Sequence, residues 1–122
     1  MKSILFKSLL SLSALAVLSS SSTAGSFLVS SYFSSTVQRY STSGQYLGGA
    51  TGYSFSGPQA IIRGKDGLLY IADEGHNAIV RLNSDSLAYH STFLSGVGLN
   101  GPTGIAFDAT GNLLVASFNT NS

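Results

Sequence analysis

The sequence predicts an all-β protein built from repeated four-stranded units behind a short N-terminal leader helix. Three observations carry that expectation. Two stretches of the chain overlay at a fixed offset of 44 residues. Short apolar runs alternate with Gly, Pro, Asp and Asn turn signals at strand-like spacing. No long helical period follows the leader.

The leader occupies residues 1–24. Lys2 and Lys7 give it a positive start, and Leu9, Leu10, Leu12 and Ala14–Leu18 an apolar centre. Ser22 and Ala24 then supply the small side chains that a signal peptidase needs, so cleavage is expected after Ala24. The apolar run from Ile4 to Leu18 is shorter than the roughly 20 residues of a spanning helix. The expected product is therefore secreted, periplasmic or extracellular, with no stable membrane span after signal cleavage. It comprises residues 25–122 with four bases against five acids, a net charge of −1. No basic patch remains to hold a phosphate backbone, which argues against nucleic-acid binding. The chain has no cysteine, so disulfides, thiolate metal sites and a cysteine nucleophile are excluded, and stability must come from packing.

The repeat starts at Gly57-Pro58 and again at Gly101-Pro102. Leu69-Tyr70-Ile71-Ala72-Asp73 lies over Leu113-Leu114-Val115-Ala116-Ser117 at the same offset of 44. An earlier copy, Phe27-Leu28-Val29-Ser30-Ser31, lies 42 residues before Leu69, and Thr36–Tyr40 matches Ala78–Leu82. Within residues 57–100 the spacing predicts strands at Ala60–Arg63, Leu68–Ala72, Ala78–Leu82 and Leu87–Phe93. Lys65-Asp66-Gly67 is the first turn, Asp73–Asn77 a polar connection, and the last strand a polar outer edge. Gly48-Gly49-Ala50-Thr51-Gly52 lacks the lysine of a phosphate loop and reads as a flexible connection. A period of 42 to 44 residues suits one four-stranded blade of a β-propeller.

The pattern Gly-Pro-x-Gly-Ile-Ala-Phe-Asp-x-x-Gly-Asn-Leu-x-Val-Ala at 101–116 resembles the NHL repeat. Asp73-Glu74-Gly75 through Ile79-Val80-Arg81 resembles that family's Asp-x-Gly-Asn-x-x-Ile loop, with His76 where Asn is usual and Asn77 one place later. Residues 117–122 resemble blades of exported bacterial propellers that often carry a PEP-CTERM sorting tail. The resemblance covers residues 27–122. It implies a partial propeller of blade units 27–56, 57–100 and 101–122, about two and a quarter blades by period. Closed propellers have roughly four to eight blades, so three accounts stand open: a truncated product or fragment, a homo-oligomer formed through open blade faces, or a small stand-alone sheet protein.

No catalytic constellation is evident, and no cofactor or metal is expected. His76 stands beside Asp73 and Glu74, which suits a base or a metal ligand, but it reads first as a solvated loop histidine. His90 falls in the outer strand and is expected to be exposed. Asp66 and Asp108 precede Gly67 and Gly111 in equivalent turns, where they bond the backbone. Two acids in separate turns do not assemble the six or so oxygens of a calcium site. Adjacent Asp73 and Glu74 in extended chain point to opposite faces. The aromatic side chains, spread along the whole chain, read mainly as packing between blades. The candidate binding residues are Tyr32, Phe33, Asp73, Glu74, His76, Asn77 and Phe118, all in the equivalent connection between strands. NHL-like propellers are commonly interaction platforms, which implies a protein, peptide or glycan partner. The alternative is a piece of a gluconolactonase-like hydrolase or streptogramin-lyase-like enzyme, whose polar residues gather on the central axis from several blades.

Overall fold

The computed structural model describes residues 25–96 and 98–120. The signal-peptide expectation, on residues 1–24, lies outside them. Among the described residues nine strands form three antiparallel sheets, and there is no α-helix. The first sheet contains β1 (Ser26–Ser31), β2 (Thr36–Ser41) and β3 (Tyr46–Gly49). The second contains β4 (Pro58–Arg63), β5 (Leu69–Asp73), β6 (Ala78–Leu82) and β7 (Tyr89–Ser95). The third contains β8 (Pro102–Phe107) and β9 (Leu113–Ser117). Each sheet is a meander in which sequence neighbours pair, because the connections are short enough only for antiparallel return. Single turns of 3-10 helix follow β5 (Glu74–His76) and β9 (Phe118–Thr120).

The tight turns form as their residue types dictate. In the β4–β5 turn Gly67 takes a φ of 84°, and Asp66 Oδ1 accepts the Leu68 N–H at 3.1 Å. In the β8–β9 turn Asp108 does more. Its Oδ1 accepts the backbone N–H groups of Thr110 (2.9 Å) and Asn112 (2.8 Å), and its Oδ2 accepts from the Asn112 side chain at 2.9 Å. The Asn112 side chain and backbone, then the Thr110 hydroxyl, hold the Asp108 carboxyl down at about 2.

Two elements differ from expectation. The fourth strand of the second sheet starts at Tyr89 rather than Leu87. Leu87 has a φ of 61° and its N–H closes a turn on Asn83 O at 2.9 Å, so its side chain enters the core while the ladder begins later. The glycine stretch 48–52 is not a free connection. Gly48 and Gly49 end β3, paired with Arg39 and Gln38, and Thr51 bridges in parallel to Ala88 of the second sheet.

Alternation within the strands builds two cores. Leu69, Ile71, Val80 and Leu82 face the first sheet and pack with Val37 and Leu28. Tyr70, Ala72 and Ile79 face the third and pack with Ile105, Phe107, Leu113 and Val115. β5 is therefore buried along its whole length, which is why it reads as an unbroken apolar run ended by Asp73. Polar links reinforce both contacts. Arg39 of the first sheet donates to the carbonyls of Asp85 (2.7 Å) and Ser84 in the second. Ser30 Oγ donates to Gln59 O.

Two outcomes are expected from this packing. Ile71→Ala, at a fully buried position shared by the first core, should lower unfolding free energy by about 2–5 kcal/mol in urea titration. Asp108 has a depressed folded pKa, so its contribution is complete above the ordinary value of 3.8 and fades as pH falls toward about 2. Thermal midpoints between pH 5 and pH 2 should therefore fall more steeply in the wild type than in Asp108→Asn.

Candidate functional site

The candidate residues lie on the edge where β1 turns into β2, β5 into β6, and β9 into its following turn. The sequence folds this edge the same way twice. The backbone N–H of Glu74 donates to Gly57 O (3.2 Å) and that of Gly75 to Ser56 O (2.7 Å). Forty-four residues later Phe118 N–H donates to Gly101 O (2.8 Å) and Asn119 N–H to Asn100 O (2.9 Å). Side chains repeat as well. Ser56 N–H donates to Asp73 Oδ1 at 2.8 Å, and Asn100 N–H to Ser117 Oγ at 3.4 Å. Successive sheets are also tied alike. Gly57 N–H donates to Ser35 Oγ (3.3 Å) and Gly101 N–H to Asn77 Oδ1 (2.8 Å). Ser35 and Asn77 both adopt left-handed backbone, with φ of 54° and 52°. Gly57 and Gly101 take φ of 72° and 74°, and a Cβ on either would stand 2.7 Å from Tyr32 or Asn119, so glycine is required at both.

Two clusters gather the candidate residues. In the first, Tyr32 and Phe33 meet edge-on with ring centroids 5.1 Å apart. Phe33 is 96% exposed. With Ser35, Ser56, Gly57 and Gly75 they line a shallow cavity of about 190 Å³. Glu74 sits beside the Tyr32 hydroxyl; its hydrogen bond and then its charge raise the Tyr32 pKa. Gln59 Nε2 donates to the same Glu74 carboxylate at 3.2 Å.

The second cluster is centred on Asp73, which is fully buried. Its Oδ1 holds the Ser56 N–H. Its Oδ2 accepts from the Tyr53 hydroxyl at 3.0 Å and from His76 Nδ1 at 2.8 Å. With the carboxylate accepting, Nδ1 carries a proton. Tyr53 also stacks on Tyr89, with centroids 5.3 Å apart and planes 18° off parallel. Burial first, and then the Asp73 charge, pushes the Tyr53 phenol above its ordinary value.

His76 is thus more than the solvated loop side chain its position predicts. It is 49% exposed, but its ring is held by a buried acid. Asp73 and Glu74 diverge, one inward to the 53–56 connection and the other outward to Tyr32. Asn77 is a link between sheets rather than part of a pocket. Phe118 is exposed on the third sheet and joins neither cluster. His90 is exposed, with Nδ1 2.9 Å from Ser91 Oγ. Tyr53 is the participant that the sequence reading missed. Its signal was its place three residues before Ser56, in the connection that each repeat folds back against its second strand.

An Asp–His pair is the orienting half of a general base. Among the described residues the ring's hydrogen-bond partners are Asp73 and Tyr53 alone, and no group of three or more His, Cys, Asp or Glu side chains is placed to hold a metal. The Ser117 equivalence gives Asp73 a structural task in the repeat: it secures the connection that precedes each Gly-Pro. No helix among the described residues is long and apolar enough to cross a membrane. The chain matches no protein-family model and no curated protein.

Two measurements probe the Asp73 cluster. Asp73→Asn keeps one acceptor but loses the oxygen shared by Tyr53 and His76, and should cost about 2–3 kcal/mol in chemical unfolding. Tyr53 has a raised folded pKa, so its contribution is complete below the ordinary value of 10.0 and is lost at higher pH. Thermal midpoints should drop less steeply above pH 10 in Tyr53→Phe than in the wild type.

Proposed function

We propose that this chain is an exported, NHL-like β-propeller repeat module that binds a peptide segment of a partner protein and performs no catalysis. The propeller reading is supported by the repeated hydrogen bonds about Ser56–Gly57 and Asn100–Gly101, which recur at the sequence period of 44. It is supported also by the stacking of successive sheets face to face.

The observation that carries the binding function is the Tyr32–Phe33 pair beside Glu74. A nearly fully exposed phenylalanine contributes nothing to the core, and large aromatics left on a loop favour recognition. The ring faces take apolar or cationic groups, and the adjacent carboxylate favours a cation. A peptide carrying Lys or Arg among apolar residues satisfies both. A glycan could stack on the rings, but would leave the Glu74 charge without an opposite partner. The Asp73–His76 pair supports the non-catalytic reading, since Asp73 is committed to the Ser56 connection and the hydroxyl beside the ring, that of Tyr53, donates to Asp73 Oδ2.

The test is an NMR titration of the protein with a short Lys- and Phe-containing peptide, a neutral Gly-Ser peptide, and chitohexaose. The basic peptide should shift the resonances of Tyr32, Phe33, Glu74 and Gly75, and Phe33→Ala should weaken it by about tenfold, the scale of a central aromatic contact. Shifts with chitohexaose alone would replace the peptide by a glycan. Turnover of a lactone, lost in His76→Ala, would replace the module by an enzyme.

A further inference from the structure

The connection before each Gly-Pro is held the same way twice, yet its chemistry differs between the two copies. The residue before the glycine is Ser56 in one and Asn100 in the other, and Asn100 is the chain's single asparagine followed by glycine. That pair carries a reaction of its own. The glycine backbone nitrogen, with no side chain beside it, attacks the side-chain amide carbon of the asparagine. A carbon–nitrogen bond closes a succinimide ring, and the side-chain nitrogen leaves as ammonia with the proton of the glycine N–H. Water then opens the ring to aspartate or to isoaspartate, in which the main chain runs through the former side chain. Asparagine is for such reasons a thermolabile residue. Ser56 has no amide carbon and is immune. Asn100 is exposed, so water and base reach it. The glycine after it is fixed by the fold: Gly101 has a φ of 74°, and a Cβ there would stand 2.7 Å from the Asn119 side chain.

We propose that Asn100 is a latent deamidation site and that Asn77 guards it by holding the attacking nitrogen. The Gly101 N–H donates to Asn77 Oδ1 at 2.8 Å. Attack requires that this proton be lost and that the nitrogen turn to the Asn100 side chain, so the bond to Asn77 must break first. The other end of the same peptide is held too, because Asn100 O accepts the Asn119 N–H at 2.9 Å. Rotation of the peptide plane toward the ring-closing geometry therefore breaks two hydrogen bonds. The guard differs between the copies in the sense that the chemistry requires. Gly57 follows a serine, and its N–H donates to Ser35 Oγ at 3.3 Å. Gly101 follows an asparagine, and its acceptor is an amide oxygen 0.5 Å nearer, at 2.8 Å against 3.3 Å. An amide oxygen only accepts, whereas a serine hydroxyl can rotate and donate elsewhere. Asn77 stands at a φ of 52°, a conformation that asparagine tolerates better than most residues. Nothing in this inference depends on the proposed binding function, or on what lies against the outer faces of the first and third sheets.

The experiment is peptide mass spectrometry at Asn100 after incubation of the 122-residue chain in mildly alkaline buffer, with circular dichroism as the check on folding. In the folded wild type Asn100 should stay an amide over a period in which the chain unfolded in urea converts it to aspartate and isoaspartate. Asn77→Gly keeps the left-handed backbone available and removes Oδ1. It should retain the β-sheet spectrum and deamidate at Asn100 about fivefold faster than the folded wild type, the scale of one lost hydrogen bond. Asn77→Asp retains an acceptor oxygen and should be as slow as the wild type. Ser35→Gly makes the matching change at the Gly57 link and should leave the Asn100 rate unaltered. Conversion in the folded wild type at the urea rate overturns the proposal. So does a folded Asn77→Gly variant no faster than the wild type, or an Asn77→Asp variant as fast as Asn77→Gly. Equal acceleration by Ser35→Gly also overturns it, since general loosening would then be the cause. If Asn77→Gly does not fold, hydrogen exchange of the wild-type Gly101 amide decides: slow exchange supports the guard, and exchange at the unfolded rate removes it.

Discussion

β5 up to Asp73, and β6 apart from Arg81, are apolar on both faces, and the arrangement of the three sheets answers to that fact. A strand pair buried on one side only would leave Tyr70, Ala72 and Ile79, or Leu69, Ile71 and Val80, in water. Burial is worth roughly 25 cal/mol for each Å² of apolar surface, so a sheet of this kind is stable only between two others. The first and third sheets supply those covers. Their own outward faces are the direct consequence, because a cover with the same alternating pattern has a second face to bury.

Polar groups decide how the stacked sheets are aligned. Hydrophobic contact is non-directional and would tolerate sliding. The Gly57 and Gly101 N–H groups prevent it by reaching Ser35 and Asn77 in the preceding sheet, and Arg39 adds two carbonyl contacts beyond them. Within each repeat the side chain that ends the second strand holds the connection before the next Gly-Pro. Ser117 does this with a hydroxyl. Asp73 does it with one carboxylate oxygen, leaving a second oxygen that must be satisfied in a buried place. Tyr53 and His76 satisfy it. The histidine is consequently oriented by a need of the fold, and its geometry alone is no argument for catalysis.

The all-β class and the strand positions were legible because apolar alternation and turn residues act locally. Asp66-Gly67 and Asp108–Gly111 make their turns from bonds within four residues. The two misread segments had long-range causes. Gly48-Gly49 has the composition of a linker, yet pairing with Gln38 and Arg39 makes it strand. Leu87 has the composition of a strand residue, yet the Asn83 turn and the core draw it out of the ladder. At the candidate site, placing Tyr32, Phe33, Glu74 and His76 on one edge followed from equivalent positions in the repeat. The role of Tyr53 did not, because its partners lie 20 and 23 residues away.

The sequence by itself determined the period, the alternation of buried and exposed positions, and the chemistry available on the connecting loops. These follow from residue type and spacing, which act over a few bonds. The tertiary structure alone decided which aromatics are buried and which stand free, since Phe55 enters the first core while Phe33 is left exposed on its turn. It decided that the exposed His76 is also clamped, because the clamping oxygen is set by how Asp73 meets the 53–56 connection. It also decided which sheet faces find a cover, a question of stacking order that no local pattern contains.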